Sequence, residues 1–236
     1  LLAFITYTMQ IIMSFLMISL VSIMLPRALV SLKRIKEILK KEVSIVEPDS
    51  PVQFKDSEKG IIEFKDVSFK YPDADEAMLK NISFKATPGT TTAFIGSTGS
   101  GKSTLINLIP RFFDATSGEI YVDGVNIKDA SIIELRNRIG YVPQKGMLFS
   151  GTIKSNLMLG NDDLTEEEME QAACVSQSIE FINRKADKFD SEISQGGSNV
   201  SGGQKQRLSI ARAIAKNPEI YIFDDSFSAL DFKTDA

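Results

Sequence analysis

A loop with the sequence GSTGSGKST, at residues 96–104, contains the residue types that bind phosphate. Gly96 and Gly101 are followed by Lys102 and Ser103 in the pattern G-x-x-x-x-G-K-S. The glycines let the backbone turn its N–H groups inward as an anion-binding nest. We therefore expect Lys102 to reach the β and γ phosphates of ATP, and the Ser103 hydroxyl to hold Mg²⁺.

The elements on either side of this loop decide between a phosphate site and a chance match in a glycine- and serine-rich loop. Residues 91–95 are an apolar, β-rich run that predicts a strand, and residues 102–113 predict a helix. A phosphate-binding loop needs this order of strand, glycine loop and helix. The N-terminal end of the helix also offers positive potential to an anion. The context therefore favours ATP binding.

An acidic residue that could complete the metal site follows a second predicted strand. Residues 219–223 are a short apolar run, and Asp224 follows directly after Phe223. Ligands bind at the carboxyl ends of strands in α/β sheets. The pattern alone is weak, because many core strands end in aspartate. Together with the loop at 96–104, it predicts that Asp224 and Ser103 share Mg²⁺.

Other elements follow from local patterns. Residues 61–69 alternate as a strand does, and residues 82–84 predict another short strand. Residues 166–183 and 204–216 predict helices. Ser131–Glu134 and Thr165–Glu168 both match the capping box, so helices are expected to begin there.

Two further motifs link the chain to a known family. VSGGQ at 200–204 closely resembles the signature of ATP-binding cassette (ABC) proteins, and SALD at 228–231 follows Asp224. With the phosphate-binding loop, these motifs stand in the family's order over residues 61–236. The uncharged residues 1–25 ahead of them make the chain resemble the last membrane helix and nucleotide-binding domain of an ABC exporter.

This resemblance implies a fold and a domain organisation. The implied fold class is an α/β P-loop NTPase with a RecA-like core, an antiparallel β subdomain and an α-helical subdomain, preceded by an α-helical transmembrane segment. Residues 1–42 would be the last transmembrane helix with its cytoplasmic extension, and residues 43–60 a linker. Residues 61–236 would be the nucleotide-binding domain, incomplete at its C-terminus, with the helical subdomain at about 131–215.

The resemblance also assigns roles to residues outside the loop. Tyr71 matches the aromatic residue that stacks on adenine, or else it packs on the core at a strand end. Gln144 matches the glutamine that contacts Mg²⁺ and the attacking water, or else it is a polar loop residue. Ser201–Gln204 would close over the γ-phosphate of a partner subunit's ATP, and Asp231 would bridge the two nucleotide domains. The candidates are, for catalysis, Lys102, Gln144 and Asp225; for ATP, Tyr71, Ser97, Thr98, Gly99, Ser100, Gly101, Lys102, Ser103, Thr104, Ser201, Gly202, Gly203 and Gln204; and for Mg²⁺, Ser103, Gln144 and Asp224.

Asp225 departs from the family's pattern. Most members have a glutamate here, which polarises the attacking water. Aspartate is shorter by roughly 1.5 Å, and a small misplacement of a general base can cost about a hundredfold in rate. We therefore expect a slow ATPase site on this chain and, because VSGGQ is intact, a heterodimer in which it completes the partner's site. QGGSNV at 195–200 also resembles the bacterial heterodimeric exporters. The alternatives are a working Asp225 and a homodimer.

The N-terminal segment predicts attachment to a membrane. Residues 1–25 carry no charge, and the first charged residue is Arg27. An uncharged segment of this length can span a hydrocarbon core as a helix. Basic residues after the apolar run place that end in the cytoplasm. A signal peptide would begin with Met and a basic segment, and a buried core helix is the other alternative. We predict a multi-pass protein of the cell membrane, of which this chain is a piece, with a cytoplasmic nucleotide-binding domain.

Composition limits the remaining functions. The formal net charge of −4 gives no reason to expect nucleic acid as a partner, which counts against a non-transport ABC ATPase that clamps nucleic acid. The chain has no histidine, so the family's switch histidine would lie beyond residue 236. The single cysteine, Cys174, is expected to be buried and inert. The expected partners are a second exporter half, the lipid bilayer, and a small-molecule, lipid or peptide substrate.

Overall fold

The computed structural model describes residues 1–55, 59–72 and 74–227, and the chain divides into two units. The first unit, Leu1–Val46, contains helix α1 (Leu2–Leu39), which continues through Pro26. Its 38 residues extend over about 57 Å. Within the described part of the chain, α1 is the helix that is long and apolar enough to cross a membrane, by length and composition.

The second unit, Glu47–Ala236, combines sheets with helices. Strands β1 and β2 form a four-stranded antiparallel sheet with β3 and β4, in the order β2-β1-β3-β4. Strands β5 and β8 pair in parallel, and β6 pairs with β7 in antiparallel fashion. The bounds are β1 (Ile62–Phe69), β2 (Leu79–Ala86), α2 (Lys102–Leu108), β3 (Ser117–Val122), β4 (Val125–Asn126), α3 (Ile132–Asn137), β5 (Ile139–Val142), β6 (Gly151–Thr152), α4 (Ile153–Leu157), α5 (Glu166–Val175), α6 (Ile179–Asn183), β7 (Glu192–Ile193), α7 (Gly202–Ala215) and β8 (Ile220–Phe223).

The antiparallel sheet packs its alternate side chains into the first hydrophobic core. Phe64 of β1 is 2% exposed and stacks on Phe84 of β2, with ring centroids 4.6 Å apart. Phe64 also pairs with Ile120 of β3. Leu105 and Leu108 of α2 belong to the same core, so the helix behind the phosphate-binding loop is held by this sheet.

A second core lies among the helices that follow. Met169 of α5 and Leu208 of α7 are buried there with Ile153 and Leu157 of α4. The predicted capping box at Thr165 is confirmed. Thr165 N donates to Glu168 Oε2 at 2.9 Å, and Glu168 N donates to Thr165 Oγ1 at 3.3 Å. Bonds from the Thr165 N–H and hydroxyl lower the pKa of Glu168.

The predicted capping box at Ser131 is wrong, because a distant residue replaces it. Helix α3 does begin after Ser131, but the Ser131 side chain makes no cap bond to its own helix. Its hydroxyl donates instead to Glu47 Oε1 at 2.6 Å, and Ile132 N donates to the same oxygen at 3.2 Å. Glu47 therefore supplies the anionic cap that the local pattern assigned to Ser131.

Part of the predicted linker packs on the second unit. Val52 N donates to Asp129 O at 2.8 Å, and Val52 forms a parallel bridge with Ala130. The guanidinium of Arg138 lies 4.6 Å from the centroid of the Phe54 ring. The structure thus begins its second unit at Glu47, earlier than the residue 61 expected from the strand pattern.

Three expectations about elements need correction. Residues 91–95 were expected to form a strand, but in the described part of the chain they pair with no neighbouring strand. Ile95, at the end of this segment, is 97% exposed. The helix after the loop ends at Leu108, because Pro110 has no N–H with which to continue the helical hydrogen bonds. The predicted helix at 166–183 is split into α5 and α6.

Cys174 is exposed, which corrects the expectation that it is buried. It lies on α5, whose buried positions are Met169, Ala172 and Ala173. A helix turns by about 100° per residue, so Cys174 points away from the face that those residues share.

A glycine opposite a bulge in β1 gives a test of the sheet. The register between β1 and β3 shifts between Lys65 and Ser68, and Gly118 faces this bulge with a φ of +78°. A Cβ there would overlap the carbonyl oxygens of Lys65 and Asp66. We expect Gly118→Ala to lower the free energy of unfolding by about 3 kcal/mol, from left-handed strain and overpacking. Urea unfolding of the detergent-solubilised protein measures this loss.

Gly89→Ala is the matched control. Gly89 has a φ of +71°, but a Cβ there would meet nothing within 4 Å. It should therefore lose only the strain of the backbone conformation, about 1 kcal/mol. Equal losses for the two variants would contradict the close packing at the bulge.

Candidate nucleotide-binding site

The phosphate-binding loop and the acidic end of β8 meet through a side-chain hydrogen bond. Ser103 Oγ donates to Asp224 Oδ1 at 2.7 Å, although the residues are 121 positions apart. Ser103 is exposed in the first turn of α2, whereas Asp224, directly after β8, is 9% exposed. The structure therefore brings together two of the residues expected to hold Mg²⁺. Metal binding itself stays a prediction.

The backbone around the acidic pair is fixed to the neighbouring strand. The carbonyl oxygen of Val142, at the end of β5, accepts from Asp224 N at 3.0 Å and from Ser226 Oγ at 2.9 Å. Ser226 is 1% exposed. These bonds hold the chain on both sides of Asp225. No sequence motif marks Ser226, because a serine that follows two aspartates is common in proteins of many kinds.

Lys102 folds back onto its own loop. Its Nζ donates to Gly96 O at 2.8 Å and to Ser97 O at 3.0 Å. Gly99 and Gly101 have φ values of +82° and +92°, which glycine adopts without the strain that a Cβ would cause. The loop is therefore shaped as an anion nest requires. Phosphate oxygens would offer Lys102 stronger, charged acceptors than the two carbonyls.

The other two predicted catalytic residues contact each other. Gln144 Nε2 donates to Asp225 Oδ2 at 3.3 Å, and both side chains are exposed. Asp225 has a φ of +46°, in the left-handed region that aspartate and asparagine enter more readily than larger residues do.

Tyr71 reaches the loop region through its hydroxyl. The hydroxyl oxygen lies 3.0 Å from Thr104 Oγ1, in the first turn of α2. The ring packs edge-to-face with Phe69 and Phe113, at centroid distances of 4.7 and 5.3 Å. Both expected roles, adenine stacking and core packing, therefore remain open to Tyr71, and its stacking on adenine stays a prediction.

The predicted signature forms the start of α7. Ser201 Oγ accepts from Gln204 N at 3.3 Å, and Gln204 Oε1 accepts from Ser201 N at 3.0 Å, which completes a capping box. Gly202 and Gly203 occupy the first two helical positions, and a Cβ on Gly202 would meet nothing within 4 Å. The first N–H groups of the helix can therefore face an anion brought by a partner.

Tyr141 lies beside the predicted metal site but is absent from the sequence-based candidates. Its hydroxyl donates to Asn107 Oδ1 at 2.9 Å. Burial, followed by the negative charge of Asp224, raises the pKa of Tyr141 to about 12. The phenol therefore stays neutral at physiological pH. No motif marks Tyr141, because it reads as an ordinary strand residue.

The residues at this site fit a magnesium nucleotide. Ser103, Asp224 and Gln144 supply hydroxyl, carboxylate and amide oxygens, the donor type that Mg²⁺ prefers. Mg²⁺ usually combines one or two carboxylates with waters and phosphate oxygens. Over the described ranges, no group of three or more His, Cys, Asp or Glu could form an all-protein metal site. The predicted SALD motif with Asp231 lies outside the described residues.

Comparisons with known proteins agree with this geometry. A family model described as ABC transporter matches residues 79–228. An ABC transporter ATP-binding protein of Mycobacterium bovis is 45% identical over 100% of this chain and 41% of its own length. A Staphylococcus aureus protein, named as a multidrug export ATP-binding/permease protein, is 47% identical over 79% of this chain and 32% of its own length.

A solved structure extends the agreement to the fold. The structure of a bacterial Atm1-family ABC exporter with ATP bound is similar, with a TM-score of 0.79 and 33% identity, over 89% of this chain and 36% of that chain. The predicted P-loop NTPase fold class is thereby confirmed. The chain spans about two fifths or less of the length of these relatives.

Substitutions at Tyr71 separate adenine stacking from core packing. Tyr71→Leu removes the ring, and we expect ATP affinity to fall about tenfold, because stacking of a base on an aromatic ring contributes roughly 1–3 kcal/mol. Tyr71→Phe keeps the ring and loses only the contact with Thr104, so its ATP affinity should stay within about twofold of the parent. Equilibrium binding of ATP measures both.

Phe113→Leu is the control for this pair. Phe113 packs against Tyr71 in the same aromatic group but has no expected contact with adenine. It should destabilise the protein and leave ATP affinity nearly unchanged. If Phe113→Leu and Tyr71→Leu lowered the affinity equally, Tyr71 would act through packing alone.

Proposed function

Because the chain belongs to the ABC transporter family, we propose that it is the ATP-binding part of an exporter subunit. Such a subunit couples ATP binding and hydrolysis to the export of a substrate across a membrane. The name of the Staphylococcus aureus relative and the exporter structure support this direction of transport. Helix α1 supports a membrane-bound subunit, with a cytoplasmic nucleotide-binding domain following the helix.

The observation that carries the proposal is the contact of Ser103 with Asp224. It joins the phosphate-binding loop to the carboxyl end of β8, where an α/β protein binds its ligand. Lys102 lies on the same loop and would bind the β and γ phosphates after leaving the carbonyls of Gly96 and Ser97. Bound Mg²⁺ would neutralise the charge that develops on the phosphate oxygens.

The hydrolysis step would use Gln144 and Asp225. Gln144 would orient the attacking water, and Asp225 would accept its proton. Their contact at 3.3 Å supports this pairing, because side chains so close together could contact the same water. The short Asp225 side chain is poorly placed for this task. We therefore propose that this site hydrolyses ATP more slowly than a site with glutamate does, and that ATP stays bound to it for longer.

The intact signature gives the chain a second task. Ser201 and Gln204 cap the start of α7, and the N–H groups of Gly202 and Gly203, its first two residues, would bind the γ-phosphate of ATP on a partner's loop. A weak base on one chain and a complete signature on the same chain fit an asymmetric pair. We therefore propose a heterodimer with a second exporter half, in which the faster hydrolysis takes place on the partner's loop.

Lengthening the side chain at residue 225 tests the asymmetry. We expect Asp225→Glu to raise the hydrolysis rate at this chain's own loop by roughly tenfold or more, because the carboxylate gains the reach of one methylene. The gain is measured as ATP turnover by the full-length assembled protein, with the partner's own base replaced so that only this chain's site is counted.

Asp225→Asn is the matched control. It keeps the length and the left-handed backbone preference but removes the proton acceptor, so it should not raise turnover. A parent protein that already hydrolyses ATP at this loop as fast as Asp225→Glu would contradict the slow site. ATP binding without any dependence on Lys102 would contradict the proposed nucleotide site altogether.

A further inference from the structure

A buried glutamine on α7 holds the loop that carries Gln144. Gln206 Oε1 accepts from Gly146 N at 2.7 Å, and Gln206 Nε2 donates to Pro143 O at 3.1 Å. The residue is 1% exposed. Each end of the amide faces a complementary backbone group, so the side chain fits in this orientation and not in the flipped one. A buried amide satisfied at both ends fixes the geometry of the backbone that it contacts.

The loop backbone lies directly against α7 at the same point. A Cβ on Gly146 would come within 2.7 Å of the carbonyl carbon and oxygen of Lys205 and within 2.8 Å of Gln206 N. Only glycine therefore allows this approach. Just before the loop, Val142 packs against Ile210 of α7. The end of β5 and the loop after it thus rest on one face of a single helix.

This helix connects two parts of the nucleotide machinery. Its first turn is the signature, capped by Ser201 and Gln204, and Gln206 lies in the next turn. A continuous helix moves as a rigid unit over one turn, so a displacement of the first turn carries Gln206 with it. The loop bonded to Gln206 must follow, and with it Gln144, which contacts Asp225 at 3.3 Å.

We propose that Gln206 is a positioning residue for ATP hydrolysis, which couples the position of the signature to the position of Gln144. Its side chain bonds the backbone of the loop, so it would act through Gln144 and not on the nucleotide itself. Binding of a partner's ATP by Ser201–Gln204 thereby changes the geometry at this chain's own Asp225. The inference rests on the proposed function, because it requires ATP at both the signature and the loop.

Two variants break this contact from opposite sides. Gln206→Met keeps a side chain of similar length but can bond neither Gly146 nor Pro143. Gly146→Ala leaves Gln206 in place but pushes the loop away from α7. The control is Ser178→Ala. Ser178 is also fully buried, and its hydroxyl donates to Ala173 O at 3.2 Å in the turn between α5 and α6, away from the loop of Gln144.

Kinetics and hydrogen exchange on the assembled full-length protein in lipid nanodiscs give the readouts, with the partner's own base replaced so that only this chain's ATP site is counted. For Gln206→Met and Gly146→Ala we expect kcat to fall about tenfold while KM for ATP stays within about twofold, because positioning and not binding is lost. Backbone exchange at 144–146 should become faster. It should also stop responding to a non-hydrolysable ATP analogue, whereas exchange at 199–204 still responds.

The control and the parent define the results that would overturn the inference. Ser178→Ala should keep the parent's kcat and its nucleotide-dependent exchange at 144–146. The inference is overturned if Gln206→Met behaves as the parent does, or if Ser178→Ala shows the same loss of kcat. A parent protein that binds no ATP would contradict the proposed function instead. Hydrogen exchange at Gly146 without nucleotide, compared between the parent and Gln206→Met, would still decide whether Gln206 holds the loop.

Discussion

The hydrogen bond between Ser103 and Asp224 is the contact on which the rest of the site depends. It closes a segment of 121 residues and sets the start of α2 against the end of β8. The antiparallel sheet holds α2 from one side through the core around Leu105. The parallel pairing of β5 with β8 holds Asp224 from the other side. Each element near the site is therefore built to keep a hydroxyl and a carboxylate within hydrogen-bonding distance.

The same strand pair arranges the residues expected to carry out hydrolysis. Val142 accepts bonds from the backbone before Asp225 and from the side chain after it. Gln144 leaves β5 from this point and meets Asp225, while Gln206 fixes its loop to α7.

The sequence predicted what depends on local chemistry and missed what depends on distant contacts. The loop at 96–104 and the box at Thr165 are local, because their glycines and caps act within a few residues. The box at Ser131 failed because Glu47, 84 positions away, takes its place. The prediction of a strand at 91–95 was wrong because a strand needs a neighbouring strand to pair with. The sequence assigned no role to Gln206, since no periodicity reveals a buried amide bonded to a remote loop.

The asymmetry between the two ATP sites can be tested most directly by trapping nucleotide during turnover. The assembled protein is given a photoreactive ATP analogue labelled on the γ-phosphate and, in parallel, on the base, and is irradiated after a single turnover. We predict that this chain retains labelled triphosphate on the loop of Lys102, whereas its partner retains only diphosphate. Diphosphate on both chains, formed at equal rates, would contradict a slow site beside Asp225.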